Sequence, residues 1–105
     1  MLIYEVNLEV DPEIAEQYEQ WLCLHIEELL EIDGFIRADL TEILPDDQSK
    51  EKKCWSVHYY IDSRASLENY YKNHAPRMRE QGFEKFGGRF SASRRVLNVT
   101  RQFTR

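Results

Sequence analysis

Three histidines are the side chains in this chain best suited to moving protons near neutral pH. His25 lies in AEQYEQWLCLHIEELLEI, one step off the middle of an apolar stripe made by Ala15, Tyr18, Leu22, Ile26 and Leu29. His74 occupies the centre of a second stripe, Leu67, Tyr70, Tyr71, His74 and Met78. Stripes at this spacing mark helix faces turned toward a core. Two readings of these rings stand side by side. In one, His25 or His74 is a general acid or base at the mouth of a pocket, with Trp21, Tyr18 and Tyr70 lining it and orienting a small ligand. In the other, each ring is neutral and satisfies buried tyrosine hydroxyls or backbone carbonyls.

Pro76 weights His74 toward the second reading. A proline inside a helix removes a hydrogen bond and crowds the preceding turn, at a cost of about 3 kcal/mol. A break between Asn73 and Ala75 is cheaper, with Pro76 opening a new segment. The break frees carbonyls near Lys72, which His74 is placed to answer. For His25 no such duty is evident. His58 alternates with apolar residues in CWSVHYYID and belongs to a polar strand face, as a ligand-binding or interface residue.

Other chemistries are poorly served. No HxH, HExxH or Cys–His cluster offers a metal site. Cys23 and Cys54 lack CxxC spacing, and Cys23 has no base near it in sequence; free thiols in a reducing cytoplasm are the expectation. FGGRF has two glycines but neither phosphate-loop pattern, and no cofactor is called for. The aromatic strand CWSVHYYI lacks the basic opening of the RNA-stacking motif. Residues 1–63 carry a net −12 and residues 64–105 a net +7. That asymmetry is assigned to acidic and basic segments facing each other, within one chain or across a dimer. An overall charge of −5 repels a polyanion, so no nucleic-acid partner is expected. MLIYEVNLEV alternates and has no basic start, unlike a signal peptide, and no apolar run approaches a membrane span.

The elements that must hold these side chains follow from periodicity. LIYEVNLEV alternates as a half-buried strand, and Asp11-Pro12 starts a helix predicted to run to about Ile32, before Asp33-Gly34. FIRADLTEIL reads as a second strand with Ile36, Ala38 and Leu40 on one face, ending at Leu44-Pro45. PDDQSKEKK is a hairpin loop, and CWSVHYYID is a third strand with Trp55, Val57, Tyr59 and Ile61 inward. Asp62-Ser63 caps the second helix, and Gly87-Gly88 ends its broken continuation. RFSASRRVLNVTRQF supplies the last strand, its core assigned to Val96, Leu97 and Val99. Trp21, Tyr59, Tyr70 and Phe83 read as core aromatics. The order βαββαβ predicts one α+β domain over residues 1–105. It is a ferredoxin-like plait: a four-stranded antiparallel sheet with two helices on one face. The other face then carries Glu5, Asn7, Arg37, Asp39, Thr41, Ser56, His58 and Tyr60, and a homodimer is the economical way to cover it.

Those segments also carry a resemblance. IYEVNLEV, Trp21 with His25, FIRADL, SVHYYIDS, His74-Ala75-Pro76, Lys85-Phe86-Gly87 and Arg89-Phe90 resemble the small bacterial proteins of the domain of unknown function 4286 family. The similarity covers nearly the whole length and is strongest from Tyr70 to Val99, with Gly88 where a polar residue is the family's habit. It implies a ferredoxin-like, dimeric α+β barrel type, akin to small cofactor-free monooxygenases. No activity is assigned to the family, so no catalytic residue is carried over. The expected function is a cytoplasmic homodimeric domain binding a small ligand or a protein partner. The alternative is a cofactor-free enzyme of the dimeric-barrel type with a histidine base.

Overall fold

A computed structural model describes residues 1–45 and 52–105; the tip of the expected hairpin loop, residues 46–51, lies outside the described residues. The central strand β1 (Leu2–Val10) is antiparallel to both β3 (Lys53–Ile61) and β4 (Phe90–Asn98), and β2 (Phe35–Glu42) pairs antiparallel with β3. The sheet order is β2-β3-β1-β4. The helical layer is α1 (Ala15–Leu29), α2 (Arg64–Asn73) and α3 (Ala75–Phe86), with short 3-10 turns at Pro12–Ile14 and Gly87–Arg89. The expected second helix is thus two helices.

Alternation along β1 decides what each face does. Leu2, Tyr4, Leu8 and Val10 join Trp55, Val57, Tyr59 and Ile61 of β3 in one core. Tyr18, Leu22, Ile26 and Leu29 of α1 pack into that same core, as do Leu67, Tyr70, Ala75 and Met78 of the two later helices. No residue of the opposite sheet face enters it, so the helices cover one side of the sheet. Among the described residues no helix is long and apolar enough to cross a membrane.

Local chemistry accounts for the element ends. Asp11 Oδ1 accepts from the Glu13 amide at 2.9 Å, but the cap opens a 3-10 turn before α1 begins. At its other end α1 stops at Leu29, short of the expected Ile32, because the amides of Glu31 and Ile32 bond back three residues and tighten the turn. Ser63 caps α2 by accepting from the Ser66 amide at 3.2 Å. At the proline break, the His74 amide bonds to the Tyr70 carbonyl at 2.9 Å and the Met78 amide to the His74 carbonyl at 3.0 Å. The backbone answers itself there, and exposed Lys72 leaves any remaining carbonyl to water.

Three expectations about faces change. A register shift between Phe35 and Arg37 turns Phe35 inward, so Ile36, expected inside, is exposed. On β4 the inward residues are Phe90, Ala92, Arg94 and Val96, opposite Val10, Leu8, Val6 and Tyr4. Leu97 therefore faces the other way and Val99 lies past the strand end, where both had been assigned to the core. Phe83, also assigned there, is 65% exposed, because it falls off the buried face of α3 that Met78 and Gly82 define.

Gly34 closes the turn into β2 with φ +90°, and its carbonyl accepts from the Asp62 amide at 2.9 Å. A Cβ built there meets Ser66 Oγ at 2.2 Å. Gly34→Ala is expected to cost about 2–4 kcal/mol, combining a disfavoured φ with overpacking. Urea unfolding measures it, and a loss under 1 kcal/mol contradicts the tight approach of this turn to α2.

Candidate functional site

The inner face of the sheet and the helices do not close completely over one another. A cavity of about 50 Å³ remains, lined by Tyr18, Trp21 and His25 from α1, Tyr4 and Tyr59 from the sheet, and Tyr70 from α2. Positions 18, 21, 22 and 25 fall on one helical face, which is why Tyr18, Trp21 and His25 point the same way. Trp21 stacks on His25 with ring centroids 4.6 Å apart, and Tyr18 lies 5.4 Å from Trp21. Gly82 of α3 leaves room for this pair: an added Cβ there meets the Trp21 ring at 3.0 Å.

His25 is the polar centre of the cavity wall. Its Nδ1 is buried and has no hydrogen-bond partner. Burial holds its pKa below the ordinary 6.5, against the Glu28 carboxylate and a hydrogen bond with Gln81, while the charge of Arg94 adds to the lowering. The ring is therefore neutral at pH 7 and able to accept a proton or a hydrogen bond. Burial likewise pushes Tyr18, Tyr59 and Tyr70 above the usual phenol range, so they stay protonated donors. Two guanidiniums complete the lining, Arg79 of α3 and Arg94 of β4, both exposed and so at its solvent end. Arg79 Nη2 donates to Tyr4 Oη at 3.1 Å.

The sequence candidates thus separate. Tyr18, Trp21, His25 and Tyr70 come together around one cavity. His74 does not join them: it borders a shallow depression with Glu28, Glu31, Asp33, Asn69 and Arg77. Nor does it serve the freed carbonyls, since its Nδ1 is buried without a partner. Arg79 and Arg94 were missed as site residues. For Arg94 the clue lay in Ala92, Arg94 and Val96, an alternation that puts a cation on the apolar face of a strand.

His58 lies on the far side of the sheet. There the register stacks Asp39, His58, Glu5 and Arg95 in one row across all four strands. Glu5 is only 5% exposed, yet it is charged. Arg95 Nε donates to its Oε2 at 2.6 Å, Asn7 Nδ2 donates to the same oxygen at 2.9 Å, and His58 Nε2 stands 3.0 Å from its Oε1. A buried carboxylate is tolerable only with partners of this kind. Acidic residues of the first half of the chain meet arginines of the second within one chain, though not between the helices. Arg95 reaches Glu5, and Arg89 reaches Asp11 and Glu13; among the described residues no ion pair joins α1 to α2 or α3. Among them, too, no group of three acidic, histidine or cysteine side chains is placed to hold a metal.

A family model matches residues 1–100, and the chain belongs to that family, described as Domain of unknown function (DUF4286). No curated protein matches the sequence. Solved structures share the fold at low identity. A protein provisionally described as an antibiotic biosynthesis monooxygenase from Deinococcus radiodurans superposes with TM-score 0.74 at 13% identity, over 99% of this chain and 97% of that one. A variant of SnoaB, a cofactor-independent oxygenase from Streptomyces nogalater, gives 0.67 at 10% identity over 99% and 98%. A dimeric ferredoxin-like protein from an uncultured marine organism gives 0.70 at 10% identity over 97% of each chain. The architecture is therefore the α+β, ferredoxin-like one.

Hydrogen bonds from Arg95 and then Asn7 hold the Glu5 carboxyl below its ordinary 4.5, against the opposing effect of burial. Its contribution to stability is complete above pH 4.5 and is lost as pH falls through the lowered native value. Glu5→Gln is expected to cost about 1–2 kcal/mol at pH 7, since Arg95 is exposed and rehydrates. The gap to wild type should close on acidification in chemical unfolding; a gap that widens below pH 4.5 contradicts this assignment.

Proposed function

We propose that this chain is a single cytoplasmic domain that pairs with a second copy through its polar sheet face and binds a small molecule in the cavity between helices and sheet. One observation carries the binding half: His25 lines that cavity, and its buried Nδ1 has no hydrogen-bond partner. An unanswered buried polar atom costs about 1–3 kcal/mol, and a site that keeps one has a use for it. The tyrosine hydroxyls and the Trp21 face supply the further contacts that orient a flat ligand. At about 50 Å³ the unfilled space suits a few waters; a ring-sized occupant needs half-buried Trp21 and exposed Arg94 to give way.

A second reading is catalytic, and the lowered His25 pKa favours it. A neutral imidazole beside phenol donors is the pairing that proton abstraction from a small acidic substrate requires. The fold shared with a cofactor-independent oxygenase is compatible with such chemistry, and at 10% identity it transfers no mechanism.

Pairing has its own support. The outer face is uncovered by helices, and its row Arg37, Tyr60, Ile3 and Leu97 offers partly apolar surface beside the Glu5 row. A similar fold is described as dimeric.

Two measurements test these readings. His25→Leu should change stability by no more than about 1 kcal/mol, because removing the unanswered Nδ1 offsets the loss of the Gln81 contact. It should also abolish the shifts of the Trp21 indole signal that phenol, benzamide and benzoate produce in wild type by NMR. A stability loss beyond 2 kcal/mol, or wild-type indole signals that ignore all three probes, removes the binding reading. Light scattering after size exclusion should give twice 12.6 kDa for wild type and 12.6 kDa for Ile3→Lys, which sets a charge in the partly apolar row of the outer face. Wild type at 12.6 kDa and micromolar concentration refutes the dimer.

A further inference from the structure

The charged side chains that line this cavity are both cations, Arg79 and Arg94. We propose that the ligand is a small carboxylate with a flat body, its carboxylate held between Arg94 and Arg79 at the solvent end and its body among Tyr18, Trp21 and Tyr70. The inference rests on the binding reading above and adds the chemical class.

The row of the sheet that passes under the cavity reads Leu40, Val57, Val6, Arg94. Three aliphatic residues are followed by a cation, on the face that turns toward the helices. Ala92 and Val96, two residues to either side of Arg94, pack against the core. β4 is an edge strand, so Arg94 stays exposed at the solvent end of the cavity although it stands on the face turned toward the helices. Arg79 approaches from α3, directly after buried Met78, and spends one of its five N–H donors on Tyr4.

Neither guanidinium has an acidic partner among the described residues. Arg89 and Arg95 show that this chain pairs its arginines readily where it has reason to. Acidic residues outnumber basic ones, 19 to 14, yet among the described residues no Asp or Glu lines the cavity. Both unpaired guanidiniums line the same aromatic cavity, and each is a planar fork suited to a carboxylate's two oxygens.

The test compares benzoate, benzamide and inorganic phosphate, with affinities read by NMR titration of the Trp21 indole signal and by thermal shift. Benzoate and benzamide share a shape and differ in charge. Wild type should prefer benzoate by about tenfold or more, and the preference should weaken with added salt. Arg94→Gln should erase most of that preference, while Arg94→Lys keeps part of it, because a point charge replaces a fork. Arg94 is exposed, so both variants are expected to fold as wild type does. Phosphate that binds as tightly as benzoate without moving the indole signal shows a bare anion site and overturns the carboxylate class. Equal affinity for benzoate and benzamide overturns the charge requirement but leaves the cavity as a binding site. Silence with all three compounds overturns both.

Discussion

Everything in this fold depends on strict alternation in one strand, β1, which is hydrogen-bonded on both edges. Because β3 and β4 flank it in register, the residues at 2, 4, 6, 8 and 10 must all face the helices, and those at 3, 5, 7 and 9 must all face away. A slip of one residue would send Glu5 and Asn7 into the core and Tyr4 and Leu8 into water. The dry side and the polar side are therefore two consequences of one pairing.

The dry side is unusual in its choice of side chains. Four tyrosines stand among its aliphatic residues, with Tyr4 against both Tyr59 and Tyr70 and Tyr18 wedged between Trp21, Trp55, Phe86 and Phe90. Such rings fill volume as phenylalanine does, but each hydroxyl must find a partner. A core of this kind is expected to keep polar space open somewhere, and here that space lies beside His25. A buried Nδ1 without a partner among phenols carries a local cost.

The far side solves the opposite problem. A carboxylate in the middle of a sheet row is shielded by its neighbours' own side chains, and the row offsets this by surrounding Glu5 with Arg95, Asn7 and His58. That network pins the register from outside while the tyrosines pin it from inside. Exposed Arg95 and half-buried His58 leave the face polar enough for water.

Strand and helix identities, the caps at Asp11 and Ser63, the proline break and the polar composition of the outer face were all legible in the chain, because each depends on residues close in sequence. So was the candidacy of Tyr18, Trp21, His25 and Tyr70, since helical spacing alone aligns them. What needed the tertiary structure was who stands beside whom. The slip at Phe35 depends on pairing with β3, the orientation of Arg94 on the register with β1, and the parting of His74 from His25 on where the broken helix lies against α1. Period and capping are local, whereas register and packing are settled between segments as many as 90 residues apart, as in the bond from Arg95 to Glu5.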